Sequence, residues 1–192
     1  MAILSLGLVL FLGVHSTRIF AEGWRTATVA RSGEKKWKGM YALLSIVGFV
    51  LLVWGYGLAR RQPVVVWTPP RRMADVTALL TAIAFVLVTA AYVPGNQIKA
   101  KLHHPMVLGV KTWAFAHLLS NGTLPAIVLF GAFLVWAIFD FSAARRRDRA
   151  AGTVYLAGHA GRTVVTVVVG LVAWAVFAFW LHGLLIGVRP FG

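Results

Sequence analysis

The sequence predicts an all-α fold, a polytopic membrane bundle of about six transmembrane helices. Three observations predict it. Apolar residues make up 59% of the 192-residue chain and charged residues only 12%, against roughly a quarter charged in water-soluble domains. Mean hydropathy is +0.80. Six apolar stretches are separated by breakers and basic clusters. A bilayer accounts for this composition, because lipid accepts apolar side chains on every face of a helix.

The stretches run roughly over 2–20, 40–58, 76–93, 106–119, 124–141 and 164–188. A span takes about 20 residues, range about 17 to 25, so five qualify outright. The fourth is short and contains Lys111. The first lacks the basic start and small-residue cleavage site of a signal peptide, so it is expected to be retained. It is expected to continue beyond the bilayer as far as Ser32 and to stop at Gly33. Pro63, Pro69, Pro70, Pro94-Gly95, Pro105 and Pro125 mark the connections. No internal repeat stands out, and the chain reads as a single domain, 1–192.

Charge gives the orientation. The chain has 19 Lys plus Arg against 5 Asp plus Glu, a formal net charge of +14. In a soluble protein that would suggest nucleic acid. Here the cations lie in the connections, where they meet anionic headgroups of the lipid bilayer, and no nucleic-acid partner is expected. With the N-terminus outside and all six stretches crossing, the inner segments hold 13 cations: Arg18, Arg25, Arg31, Lys35, Lys36, Lys38, Lys99, Lys101, Arg145, Arg146, Arg147, Arg149 and Arg162. The outer segments hold 5: Arg60, Arg61, Arg71, Arg72 and Arg189. If the fourth stretch did not cross, the arginine run near 145 would move outside and the bias would nearly vanish. The asymmetry therefore predicts that this stretch spans, with both termini outside.

Several chemistries are excluded by residue type. The chain has no Cys, so it offers no disulfide or thiolate ligand. It has no Walker motif, no HExxH and no GxSxG. Asp75 opens the third helix, where a carboxylate suits the dipole, and Asp140 closes the fifth. Neither has an acidic partner inside an apolar stretch, so a buried carboxylate relay is lacking.

Histidine is the remaining chemistry. His15, His117 and His182 fall inside apolar stretches, whereas His103, His104 and His159 fall in connections. Ionisable groups inside a bilayer are costly and point to function, and two imidazoles from different helices can hold a haem iron. The competing reading is interhelical hydrogen bonding that serves packing alone. At 1.5 Å per residue, His117 lies roughly 16 Å, His15 roughly 10 Å and His182 roughly 28 Å from the inner side. These depths favour His117 with His15. His104 is thirteen residues before His117, about 20 Å along a helix, so the two cannot flank one iron. His104 is a candidate to bond a helix N-terminus, to contact a haem propionate, or simply to face water. Arg18, Lys99, Lys101 and Lys111 are candidate propionate partners, though snorkelling to headgroups serves most such cations. Trp113 precedes His117 by one turn and shares its face, either as one wall of a planar cofactor pocket or as core packing.

Four segments carry a family resemblance: GLVLFLGVHSTRIF (7–20), WKGMYALLSIVGFVLLVWGYGLAR (37–60), WTPP (67–70) and AAYVPGNQIKAKLHHPMVLGVKTWAFAHLLSNGT (90–123). They resemble the NnrU family of bacterial membrane proteins over nearly the whole chain, with the last helix least distinctive. The resemblance implies an association with nitrite and nitric oxide reduction in denitrification. It also implies kinship with the 15-cis-zeta-carotene isomerases, which bind haem b and isomerise a cis double bond in a redox-dependent way. Their histidine pattern matches His15-Ser16, His104-Pro105 and Ala116-His117 here, which implies His15 and His117 as haem ligands. The isomerases carry a Cys, proposed as an alternate ligand, where this chain has Ala114, so chemistry that needs that thiolate is not implied. The expected partners are the bilayer, haem, and an apolar polyene or nitric oxide. The alternatives are a non-catalytic accessory or transport protein with structural histidines, or an isomerase-like enzyme.

Overall fold

The computed structural model describes residues 1–191. Helices are α1 (Ala2–His15), α2 (Thr17–Phe20), α3 (Glu22–Ser32), α4 (Glu34–Ala59), α5 (Met73–Tyr92), α6 (Gln97–Leu102), α7 (Pro105–Ser120), α8 (Leu124–Ala150), α9 (Ala160–Val176) and α10 (His182–Ile186). A π-helical turn (Phe177–Leu181) joins α9 to α10. All six apolar stretches are helical. Four helices are long and apolar enough to cross a membrane: α4, α5, α8 and the continuous run Ala160–Ile186. At 14 and 16 residues, α1 and α7 fall short of a full span.

The first stretch departs from expectation in one respect. It ends at Gly33, whose φ is +85°, as the sequence predicts, but it is not one helix. Breaks fall at Ser16 and Ala21. The Ser16 hydroxyl donates to the Leu12 carbonyl and the Thr17 hydroxyl to the Val14 carbonyl, competing with the backbone ladder where it gives way.

Contacts divide the chain into two compact units. The first comprises Met1–Thr68 and Asn121–Arg146, the second Pro69–Ser120 and Arg147–Gly192.

The first unit is built on an antiparallel pairing of α1 and α4. The Gly7 position meets the backbone of Leu51 and Leu52, Gly48 meets Phe11, and Gly55 meets Ile3 and Leu4. Three glycines thus let the two backbones touch, which is how helices associate where lipid removes the hydrophobic drive between them. Leu4, Leu8 and Leu52 fill the seam. Beyond the apolar stretch, Trp24 packs edge-on against Trp37, and the Arg25 guanidinium lies over the Trp37 ring. The 62–67 connection pairs with Gly122–Leu124 through the amides of Val66 and Leu124.

In the second unit α5 is central, with α7 and α9 packed against it and antiparallel to it. Gly109 of α7 meets Ala84 and Val88, and Gly170 of α9 meets the Val86 backbone. The Thr77 hydroxyl donates to the Ala116 carbonyl and the Trp174 indole to the Thr81 hydroxyl. At the opposite end of α5, Asn96 is 1% exposed and uses its whole amide. It donates to the carbonyls of Ala90 and Val93 and accepts from the Lys99 amide, capping α6. Pro105 opens α7 in its first turn, where its missing N–H costs nothing.

Candidate functional site

His15 is the last residue of α1. Its Nδ1 donates to the Phe11 carbonyl at 2.6 Å. A carbonyl only accepts, so Nδ1 carries a proton and Nε2 is the nitrogen left to face a ligand. Phe11 lies 4.3 Å from the imidazole centroid, Tyr41 5.3 Å, and Trp136 of α8 stands edge-on at 6.2 Å. All four residues belong to the first unit. In the same unit Ser45 Oγ and Trp136 Nε1 are buried without a hydrogen-bond partner. The α1–α4 pairing, which sets 7 beside 52 and 11 beside 48, carries His15 to the level of Ser45. The orphaned hydroxyl, the orphaned indole N–H and the imidazole therefore occupy one level of this unit.

His117 lies in α7, in the second unit, and repeats the arrangement. Its Nδ1 donates to the Trp113 carbonyl at 2.9 Å, again leaving Nε2 as the nitrogen to face a ligand. The Trp113 ring is 5.2 Å away, so the same-face expectation for this pair holds. Ala114 and Ala116 are fully buried at 0% exposure. Lys111 also lies on α7 but, six residues before His117, it is rotated about 120° from it. Arg18 lies in α2, is 54% exposed and pairs with Glu22 at 3.3 Å. Half-exposed and paired, it fits an interfacial cation.

His104 takes part in an arrangement the sequence did not reveal. Its Nε2 donates to Asp148 Oδ2 at 2.6 Å, with both side chains about one-fifth exposed (21% and 19%). The Tyr155 hydroxyl donates to the same oxygen at 2.9 Å. Partial burial raises the Asp148 carboxyl, but the bonds from Tyr155 and His104, and the charges of His104 and His103, outweigh it and hold the group below its ordinary range. His103 stacks on Tyr155 at 3.9 Å with the rings 1° from parallel. Its φ is +67° and ψ −53°, and the His104 amide donates to the Leu102 carbonyl at 2.8 Å. That is a γ-turn of the rarer, strained hand, costly for a residue with a Cβ. Asp148 is 44 residues from His104, in the basic run after the fifth stretch. The sole sequence signal for it was a lone acid among arginines.

Among the described residues no group of three or more His, Cys, Asp or Glu could hold a metal ion. The long apolar helices and the glycine-mediated packing define a helical membrane protein. The family model described as NnrU protein matches residues 3–190, and the chain belongs to that family. No curated protein and no solved structure matches it.

Proposed function

We propose that this chain is a haem-b-binding protein of the bacterial inner membrane, with both termini periplasmic and His15 and His117 as the residues that would hold the haem iron. Its role would lie in nitrite and nitric oxide reduction or in a redox-dependent isomerisation. The observation that carries the reading is shared by the two histidines: each gives its Nδ1 proton to the carbonyl four residues before it. Metal-ligating histidines almost always donate their second ring N–H in this way, which fixes the tautomer and makes the other nitrogen more basic. Within its own unit each histidine has aromatic company, Phe11, Tyr41 and Trp136 beside His15 and Trp113 beside His117, the kind of flat apolar surface a macrocycle packs against. Trp136 Nε1 and Ser45 Oγ are orphaned donors that a carboxylate or small polar ligand would satisfy, relieving a cost that is high away from water. Haem b, if bound there, would supply one-electron chemistry and an iron able to interact with nitric oxide or a polyene.

The test is an absorption spectrum of the detergent-purified protein, oxidised and then dithionite-reduced, with haem counted per chain. A sharp Soret band with split reduced bands is expected at one haem per chain, and His117→Ala should abolish it. A colourless wild-type protein after expression with added haem would overturn the reading and favour an accessory or transport role with packing histidines. Undiminished haem in His117→Ala would sink the ligand assignment. Conversion of a 15-cis polyene by the haem-loaded protein would single out the isomerase-like activity.

A further inference from the structure

We infer that Ser45 and Trp136 form a carboxyl-binding site beside His15, which holds the acid group of an apolar ligand through the Ser45 hydroxyl and the Trp136 indole N–H. Where that ligand is haem, the acid group is a propionate, and the inference then rests on the haem reading above. Both donors lie within the first unit and need no contribution from His117.

The first support is contact. Helices α1, α4 and α8 meet around His15. Trp136 of α8 stands edge-on to its imidazole, and Phe133, one turn before Trp136, packs on Phe11 with ring centroids 5.9 Å apart. On α4, the Tyr41 ring lies 5.3 Å from the imidazole, and Gly48 approaches the Phe11 backbone. Ser45 is four residues after Tyr41 and three before Gly48, so it shares their face of the helix. Ser45 and Trp136 therefore lie on the sides of α4 and α8 turned toward His15 and Phe11.

The second support is the state of the two donors. Other hydroxyls in these helices bond back to their own backbone: Ser16 to the Leu12 carbonyl, Thr112 to Leu108 and Thr166 to Arg162. That bond is open to a serine within a helix. Ser45 does not make it: its Oγ is buried without a partner, and so is Trp136 Nε1. An unmet buried donor is costly, and more so where lipid replaces water. Two such donors beside one imidazole are groups kept for an occupant.

The third support is chemical match. Two N–H and O–H donors select a group that accepts. A cation would be repelled, and a wholly apolar ligand would leave both donors unmet. A carboxyl has two oxygens, one for each donor. It carries at most one charge, and in apolar surroundings it can enter as the neutral acid. A phosphate keeps more charge and suits these aromatic walls less well. The Phe11 and Tyr41 rings beside His15 then pack against the apolar body that carries the carboxyl.

The experiment uses full-length protein purified haem-free in detergent, with Ser45→Ala and Ser45→Ala/Trp136→Phe beside wild type. Ser45→Ala removes only an unmet oxygen, so without ligand its thermal midpoint should equal or exceed that of wild type. Titration with haem b and with its dimethyl ester reads the propionate. The ester offers only weaker, neutral acceptors, so the affinity ratio of acid to ester should be about tenfold larger in wild type than in the double variant. Oleate and methyl oleate, read by the thermal midpoint of haem-free protein, test a fatty acid as the source. A rise with oleate alone, present in wild type and lost in the double variant, assigns the site to a fatty acid of the bilayer. Haem uptake with the same acid-to-ester ratio in both proteins and no such oleate effect would overturn the inference and leave haem binding standing. A Ser45→Ala midpoint clearly below wild type would overturn it too, by showing that the hydroxyl already has a partner. No haem uptake with a selective oleate effect would overturn the haem reading and leave this site standing. No response to either ligand would overturn both.

Discussion

Asn96 and Asp148 show how single side chains hold this chain together at the end of the second unit away from His182. Asn96 satisfies two carbonyls and one amide from a nearly fully buried position. Asn96→Ala leaves those groups without partners and should cost about 2 to 3 kcal/mol, read as a lower unfolding midpoint in detergent. Asp148 holds its carboxyl below the ordinary range through Tyr155 and His104. A depressed carboxylate contributes stability that is fully present above its unfolded value and is lost as pH falls through the folded one. Stability should therefore be flat in this respect from neutral pH down to the usual carboxylate range and fall below it, and Asp148→Asn should remove that acid limb. Thermal midpoints of the two proteins across pH check it; identical acid limbs would show that the carboxylate contributes nothing. Neither residue's role was legible in the sequence. Asn96 reads as a turn residue after Pro94-Gly95, and Asp148 as one charge in a basic run.

Helices in this chain are specified by their glycines as much as by their apolar residues. Gly7, Gly48 and Gly55 lie where α1 and α4 touch backbone to backbone. A side chain at 55 would meet the Ile3–Leu4 backbone, which cannot move aside as a flexible side-chain tip would. Gly55→Leu should destabilise the first unit by about 3 kcal/mol, whereas the same change at Gly57, where nothing stands within 4 Å, should be close to neutral. Thermal midpoints in one detergent compare the two. The existence and rough limits of all six apolar helices were legible, because hydropathy and breakers are local. The breaks at Ser16 and Ala21 and the π turn at 177–181 were not. Hydroxyl back-bonding and a one-residue register shift leave no mark on an apolar run.

For the whole molecule, membership of the NnrU family and a helical membrane architecture are the firm conclusions, and orientation is the next quantity to measure. If all six apolar helices cross, the positive-inside count puts 13 cations on one side and 5 on the other. The absence of cysteine makes the chain convenient for labelling. Ala2→Cys should react with a membrane-impermeant maleimide added outside intact spheroplasts, and Ser32→Cys only after permeabilisation. The reverse pattern would invert the proposed topology.

Composition, hydropathy and breaker positions alone determined that this is an all-helical membrane protein and roughly where its apolar helices lie. Those properties depend on side-chain transfer into lipid, which each residue carries with it. Tertiary structure decided the rest: the division into two units, the buried role of Asn96, and the meeting of His104 with Asp148 and Tyr155. These depend on contacts between residues far apart in the chain. Backbone packing sets such relations, and no local pattern encodes them.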